Sequence, residues 1–283
     1  MAITIIDLIP NYIRCLNGQD SIDSYIESYP AFFKHYFDFW GRDNIISLML
    51  NETKAYSRGQ MLRRCLKEAE VNFSNHNLNL NNLFVVIFVG QHKANGHAFI
   101  DGQNAIAWFA IETLETEEQM RVFVTHELVH ALQYSTNPQS YFNNAKEKTL
   151  VSRQLVTEGI ATYLTTQLSS INEEKSLWAD TLLPYELERW MEQCRADEFN
   201  LFNYVLTHFD SSDEGSSLFL SSDSSNIYHY RAGYYVGLKV IEYISLKDNL
   251  APHDLIELTM LELVEKARLS LIVLRDTNIS NKH

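Results

Sequence analysis

The sequence is short of several things, and each shortage closes off a class of protein. It has three cysteines, Cys15, Cys65 and Cys194, widely spaced and with no CxxC pair. That number and spacing do not describe a disulfide framework, and they suggest reduced thiols in a cytosolic setting. With 10 Gly and 5 Pro in 283 residues it is neither a fibrous repeat nor a disordered chain. Lysine and arginine form no runs, and the formal charge of -13 argues against a general nucleic-acid binder, which needs clustered cations for phosphate. No apolar run reaches about 18 residues, so a membrane span is not expected. The first residues, "MAITIIDLIP", carry no basic region and no small-residue cleavage site. A secretory signal is therefore not expected either, and a cytoplasmic location is the reading.

What is present is enough apolar sequence to bury a sizeable core: 46% of residues are hydrophobic and 21% charged, the balance of a globular chain. Residues 1–80 read as a helical N-terminal region, with helical apolar spacing from about Ser21 to Asn75. A stripe of Tyr25, Phe32, Phe33, Tyr36 and Phe37 within it reads as a packed face. The texture changes at "LFVVIFVG" (83–90), which looks like a buried strand. The Asp101-Gly102 turn signal then implies a hairpin that ends in a strand over 104–112. A helix opening with acids follows, "ETEEQMRVFVTHELVHALQYS", and after a polar loop a second, "TLVSRQLVTEGIATYLTTQLSS". Helical patterns continue through "HYRAGYYVGLKVIEYISL", interrupted by a Ser/Asp-rich loop (210–226), and the last residues, 275–283, read as a frayed tail. The expected organisation is residues 1–80, then 81–170 with the sheet and the two central helices, then a helical 171–283.

The chemistry lies in His126-Glu127-Leu128-Val129-His130. Histidines four apart share one helix face and can aim both imidazoles at a single tetrahedral metal, for which zinc is the expectation, one per chain. Glu127, rotated about 100° from His126, would lie beside the metal as a proton acceptor rather than a ligand. The surrounding residues Val122, Phe123, Val124, Leu128, Val129 and Leu132 mark the helix as buried, where two histidines and a glutamate are costly without a purpose. A third ligand is needed. Gln133 and Thr136 stand where the HExxHxxGxxH pattern has its glycine-side and histidine positions, so it must come from elsewhere. Glu158 in "VTEGIATYL" is the candidate, with Gly159 and Ala161 beside it to let its helix approach closely.

HELVH followed by a helix bearing TEGIATYL resembles the gluzincin metallopeptidases, the thermolysin and aminopeptidase N families. More specifically it is similar to predicted zinc-dependent proteases that combine HExxH, a later EGxA helix and a C-terminal GYxxG helix. The resemblance covers about Leu83 to Leu246. It implies an α+β, predominantly helical zincin fold of thermolysin-like core, with a small mixed sheet and a helical C-terminal half. It also implies a strand beside the metal helix that pairs with extended substrate, for which Asn104, Ala105, Ile106 and Ala107 are in place, although the same strand reads equally as ordinary sheet core. An oxyanion donor is implied from the C-terminal half, where "NIYHYRAGYYVGLKV" offers Arg231 and Tyr234 one helical turn apart, with His229, Tyr230 and Tyr235 as further candidates. Gly233 and Gly237 would let that face lie close to another helix.

Two departures from those families matter. The GxMEN amine-binding motif is absent, which favours an endopeptidase over an aminopeptidase. Thermolysin's aspartate four residues after the third ligand corresponds to Thr162. The expected function is thus a zinc metallopeptidase acting on a peptide or protein substrate, with Glu127 as general base to a zinc-activated water. The rival is a catalytically inactive zincin-fold binding or regulatory protein, against which the intact Glu127 speaks because ligation does not require it. A deformylase-type site would need a cysteine ligand, and no cysteine lies in such a context. Oligomeric state and substrate sequence are not legible.

Overall fold

The computed structural model describes residues 3–42, 46, 50–142, 144–179, 181–212 and 215–280. The chain divides into two compact units, Met1–Asn75 with Asn79–Leu132, and His76–Leu78 with Gln133–His283. It is an α+β protein, mostly helical, with one four-stranded mixed sheet. Among the described residues no helix is long and apolar enough to cross a membrane.

The first unit begins with a strand that the sequence reading assigned to a helical region. β1 (Thr4–Asp7) pairs in parallel with β2 (Leu83–Phe88), tucking the short apolar patch near the N-terminus into the sheet. Arg63 holds it from the side, its Nε and Nη2 both donating to the Oδ2 of Asp7. The helices α1 (Ile9–Leu16), α2 (Ile22–Glu27), α3 (Pro30–Phe39) and α4 (Glu52–Asn75) follow. Residues 43–45 and 47–49, which the sequence reading placed in a helical segment, lie outside the described residues.

The aromatic stripe is core, as its spacing implied: Tyr25, Phe32, Phe33 and Tyr36 are buried. Phe32, Phe33 and Tyr36 meet Phe88 of β2 edge-on, with ring centroids 4.8 to 6.0 Å apart. Burial this deep forces the phenol groups to find partners, and they find backbone. The Tyr25 hydroxyl donates to the Val89 carbonyl and accepts from the Val89 N–H, and the Tyr36 hydroxyl accepts from the Gln91 N–H. The helices are thereby tied to the segment that leaves β2.

β3 (Gly96–Asp101) and β4 (Asn104–Ala110) form the expected hairpin, Asp101 pairing with Asn104 across two turn residues. Gly102 has φ 61°, the positive value that such a hairpin needs at its first turn position. The strand order is β1-β2-β4-β3, with β2 and β4 parallel and β3 antiparallel to β4. β4 then leads into α5 (Glu117–Thr136), within which the boundary between the two units falls.

The second unit is helical: α6 (Ala145–Thr149), α7 (Val151–Leu168), α8 (Glu173–Trp178), α9 (Pro184–Ala196), α10 (Glu198–Thr207), α11 (Gly215–Phe219), α12 (Ala232–Asp248), α13 (Pro252–Glu257) and α14 (Met260–Ser280). The segment read as a frayed tail is helical as far as Ser280, with 281–283 outside the described residues. The Ser/Asp-rich segment is not all loop, because it carries α11; residues 213 and 214 of it lie outside the described residues. At the centre, α7 and α12 cross where Gly159 meets Gly237. A Cβ on Gly237 would stand 2.8 Å from the Leu155 carbonyl oxygen and 3.0 Å from the Gly159 Cα. Gly233, one turn earlier, lies under the Phe219 ring, so the two α12 glycines do serve close packing, against different partners.

Candidate metal centre

The helix that carries the two histidines is started by a reciprocal cap. Thr116 Oγ1 accepts from the Gln119 N–H, and the Gln119 side chain accepts from the N–H groups of Glu115 and Thr116. Glu117 and Glu118 add negative charge to the first turn, where the helix dipole favours it. One side of α5 meets solvent through Arg121, whose charge is stabilised by its hydrogen bond to Glu68. Val122, Val124, Leu128, Val129 and Ala131 are buried, which makes α5 the interior helix that its composition implied.

His126 and His130 sit one turn apart on this helix, 9% and 5% exposed, and their Nε2 atoms are 3.1 Å apart. Two nitrogens each about 2.0–2.1 Å from a tetrahedral zinc would be about 3.3 Å apart, so this pair has nearly the spacing that a shared cation requires. Glu127, the residue after His126, is 8% exposed. The edge strand passes close to it: a Cβ on Gly96 would lie 3.1 Å from Glu127 Cγ.

Glu158 is on α7, half-buried, immediately before the glycine that touches α12. Burial lowers the pKa of Lys148, and the negative charge of Glu158 raises it part of the way back. Among the described residues His126, His130 and Glu158 form a group able to hold a metal, their ligand atoms all within 4.8 Å of one another. Two imidazoles and a carboxylate are a donor set that zinc accepts, with a position left open.

Further buried polar groups adjoin His130 and Glu158 in sequence. Gln133 is 0% exposed, Thr157 1% and Thr162 0%, and among the described residues neither the Gln133 amide nor the two threonine hydroxyls has a hydrogen-bond partner. Each such group costs about 1–3 kcal/mol in an apolar interior. Their position three residues after His130, one before Glu158 and four after Glu158 fits a centre that is wet or charged rather than a plain helical core. Thr162, where the resembled family has an aspartate, makes no side-chain hydrogen bond to a histidine among the described residues.

The aromatic segment before α12 sorts itself by what each residue already holds. The Tyr228 and Tyr235 hydroxyls donate to Asp197 and Glu198, and the Tyr230 carbonyl accepts from Trp190. Arg231 is not a helical residue: it caps α12 with φ 60° in the left-handed region. It nonetheless meets Tyr234, the guanidinium lying 4.1 Å from that ring's centroid and 5.0 Å from the Trp178 ring. Tyr234 also contacts the Phe219 ring.

One expectation is corrected. Asn104, Ala105, Ile106 and Ala107 cannot take a substrate by strand addition, because β4 is hydrogen-bonded to β2 on one side and to β3 on the other. The hairpin folds β3 back onto the edge that β4 would have offered. The outer edge of the sheet on this side belongs to β3, which pairs with no further strand among the described residues. Gly96 on that strand carries no motif, so nothing in the sequence drew attention to it.

Residues 60–265 match the model of a family described as "Predicted Zn-dependent protease (DUF2268)". No curated protein and no solved structure matches the chain.

Proposed function

The chain belongs to the predicted Zn-dependent protease family, and we propose that it is a zinc metallopeptidase of gluzincin type, an endopeptidase, holding one zinc through His126, His130 and Glu158. The observation that carries this reading is the grouping of those three side chains, with Glu127 next to the first of them. When bound, zinc supplies Lewis-acid polarisation of a carbonyl and acidifies a water.

The remaining work falls to the protein. Glu127 accepts the proton of the attacking water and delivers it to the leaving amine, a general acid–base role worth about 10²–10⁴-fold. Its near-complete burial, next in sequence to His126, supports that assignment, since a buried carboxylate is held in one direction where an exposed one is not. Tyr234 is the hydroxyl donor assigned to the developing oxyanion. Arg231 lies across the Tyr234 ring, 4.1 Å from its centroid, where it fixes the ring and adds positive charge. The absence of a GxMEN motif supports cleavage within a chain rather than removal of an N-terminal residue.

The test pairs metal analysis with a peptide panel. Wild type is expected to carry about one zinc per chain and to cleave internal peptide bonds. Glu127→Gln is expected to keep the zinc and lose at least about 10²-fold in kcat. A wild type that carries zinc but cleaves no peptide would point to a non-catalytic member of the family.

A further inference from the structure

We propose that Gly96, on the edge strand β3, is a positioning residue for Glu127: its missing side chain is the space that the base's side chain occupies. The inference rests on the reading of Glu127 as general base, but the packing relationship can be tested without activity.

The argument starts from the strand's alternation. Successive side chains of β3 point to opposite faces, so Gly96, Ala98 and Ile100 share one face and His97, Phe99 and Asp101 the other. The second face is aromatic: Phe99 stacks on His35 at 3.7 Å between ring centroids, and His97 lies 5.1 Å from Trp40. The first face opens with the two smallest residues available. A Cβ built on Gly96 points at Glu127, 3.1 Å from its Cγ, with the Trp108 carbonyl oxygen at 3.0 Å and Phe109 Cδ1 at 3.2 Å. All three approaches are tighter than ordinary carbon contact, so something must give.

What gives follows from stiffness. Trp108 and Phe109 are 0% exposed and belong to β4, which is paired on both sides. Glu127 is a single side chain with rotatable bonds, and its backbone is fixed in the middle of α5. A methyl group at residue 96 therefore turns the glutamate, moving the carboxylate while the helix and the two histidines stay in place. The neighbour must give by a few tenths of an ångström, a fraction of the misplacement of about 1 Å that costs on the order of 10²-fold in rate. Nothing about φ at Gly96 demands glycine, because its backbone is not in the left-handed region. The requirement is for space.

The experiment is a cycle of Gly96→Ala and Glu127→Ala, alone and together. Thermal midpoints are read on the metal-stripped chain, and zinc content and peptidase kinetics on the loaded one. Glu127→Ala removes the Cγ that the added methyl would meet. Gly96→Ala is expected to lower the midpoint by several degrees in wild type and by clearly less in the Glu127→Ala background. In the loaded enzyme it should lower kcat about 3–10-fold, with KM and zinc content near wild type. If Gly96→Ala fails to fold while the double variant folds, the relationship is upheld. Equal midpoint losses in both backgrounds, or failure of both variants to fold, would show that the β4 backbone sets the requirement and would overturn the proposal. So would a kcat within twofold of wild type. A wild type without peptidase activity counts against the function proposed above, and the midpoint cycle still decides the role of Gly96.

Discussion

A Cβ placed on Gly159 would lie 2.6 Å from the carbonyl oxygen of Gly237, so at these two residues α7 and α12 touch backbone to backbone. Glu158 precedes one side of this contact directly, and Tyr234 stands one turn before the other. The crossing thus lies within one helical turn of a proposed zinc ligand on α7 and of a proposed oxyanion donor on α12.

Gly159→Ala should accordingly be costly even though alanine is the better helix former. The methyl group meets backbone, which cannot rotate away, and overpacking of this kind costs about 1–3 kcal/mol. Urea unfolding of the metal-free chain should show that loss, and competition with a chelator should show weaker zinc retention as Glu158 is pushed aside.

The third ligand separates from the base by metal content. Glu158→Ala and His130→Ala should each purify with markedly less zinc than wild type, whereas Glu127→Gln should purify with the same amount. Elemental analysis of the three variants prepared identically reads the difference; zinc retained by Glu158→Ala would place the third ligand elsewhere.

Neighbouring tyrosines should respond in opposite ways. Tyr234→Phe removes one hydroxyl and is expected to cut kcat by about 10²–10³-fold with zinc and stability unchanged. Tyr235→Phe leaves Glu198 without its donor and should cost about 1.5–3 kcal/mol of stability with little change in kcat. Measuring kcat and the urea midpoint for both variants distinguishes the two roles; a swap of the two phenotypes would reassign the donor.

Burial raises the pKa of Glu112 above the ordinary glutamate value, and N–H groups, among them those of Gly90 and His92, pull it back only in part. The folded chain therefore holds this proton to higher pH than the unfolded chain. The stabilisation is full below the ordinary glutamate value and is lost as pH rises through the raised one. Glu112→Gln should flatten that decline in the metal-free chain, which urea midpoints from about pH 4 to 8 would reveal. An unaltered slope would mean that other groups carry the pH dependence.

The sequence alone determined the local chemistry. HELVH needs only helical periodicity to set His126 and His130 on one face, because i and i+4 are neighbours on any α-helix. Tyr25, Phe32, Phe33 and Tyr36 declare burial by spacing, and the Asp101-Gly102 turn declares a hairpin by its need for positive φ. What tertiary structure decided was every matter of which element lies beside which. Thr4–Asp7 is too short to announce a strand and becomes one only because β2 is there to pair with it. Pairing with β2 on one side and β3 on the other closes both edges of β4, so a strand that reads as a substrate platform is interior and β3 holds the outer position. Gly96 and Glu127 are 31 positions apart in a sequence that gives neither any reason to expect the other. Their relationship exists because a two-residue turn folds β3 back onto β4 beside α5, and non-local packing of that kind leaves no periodic trace in the chain.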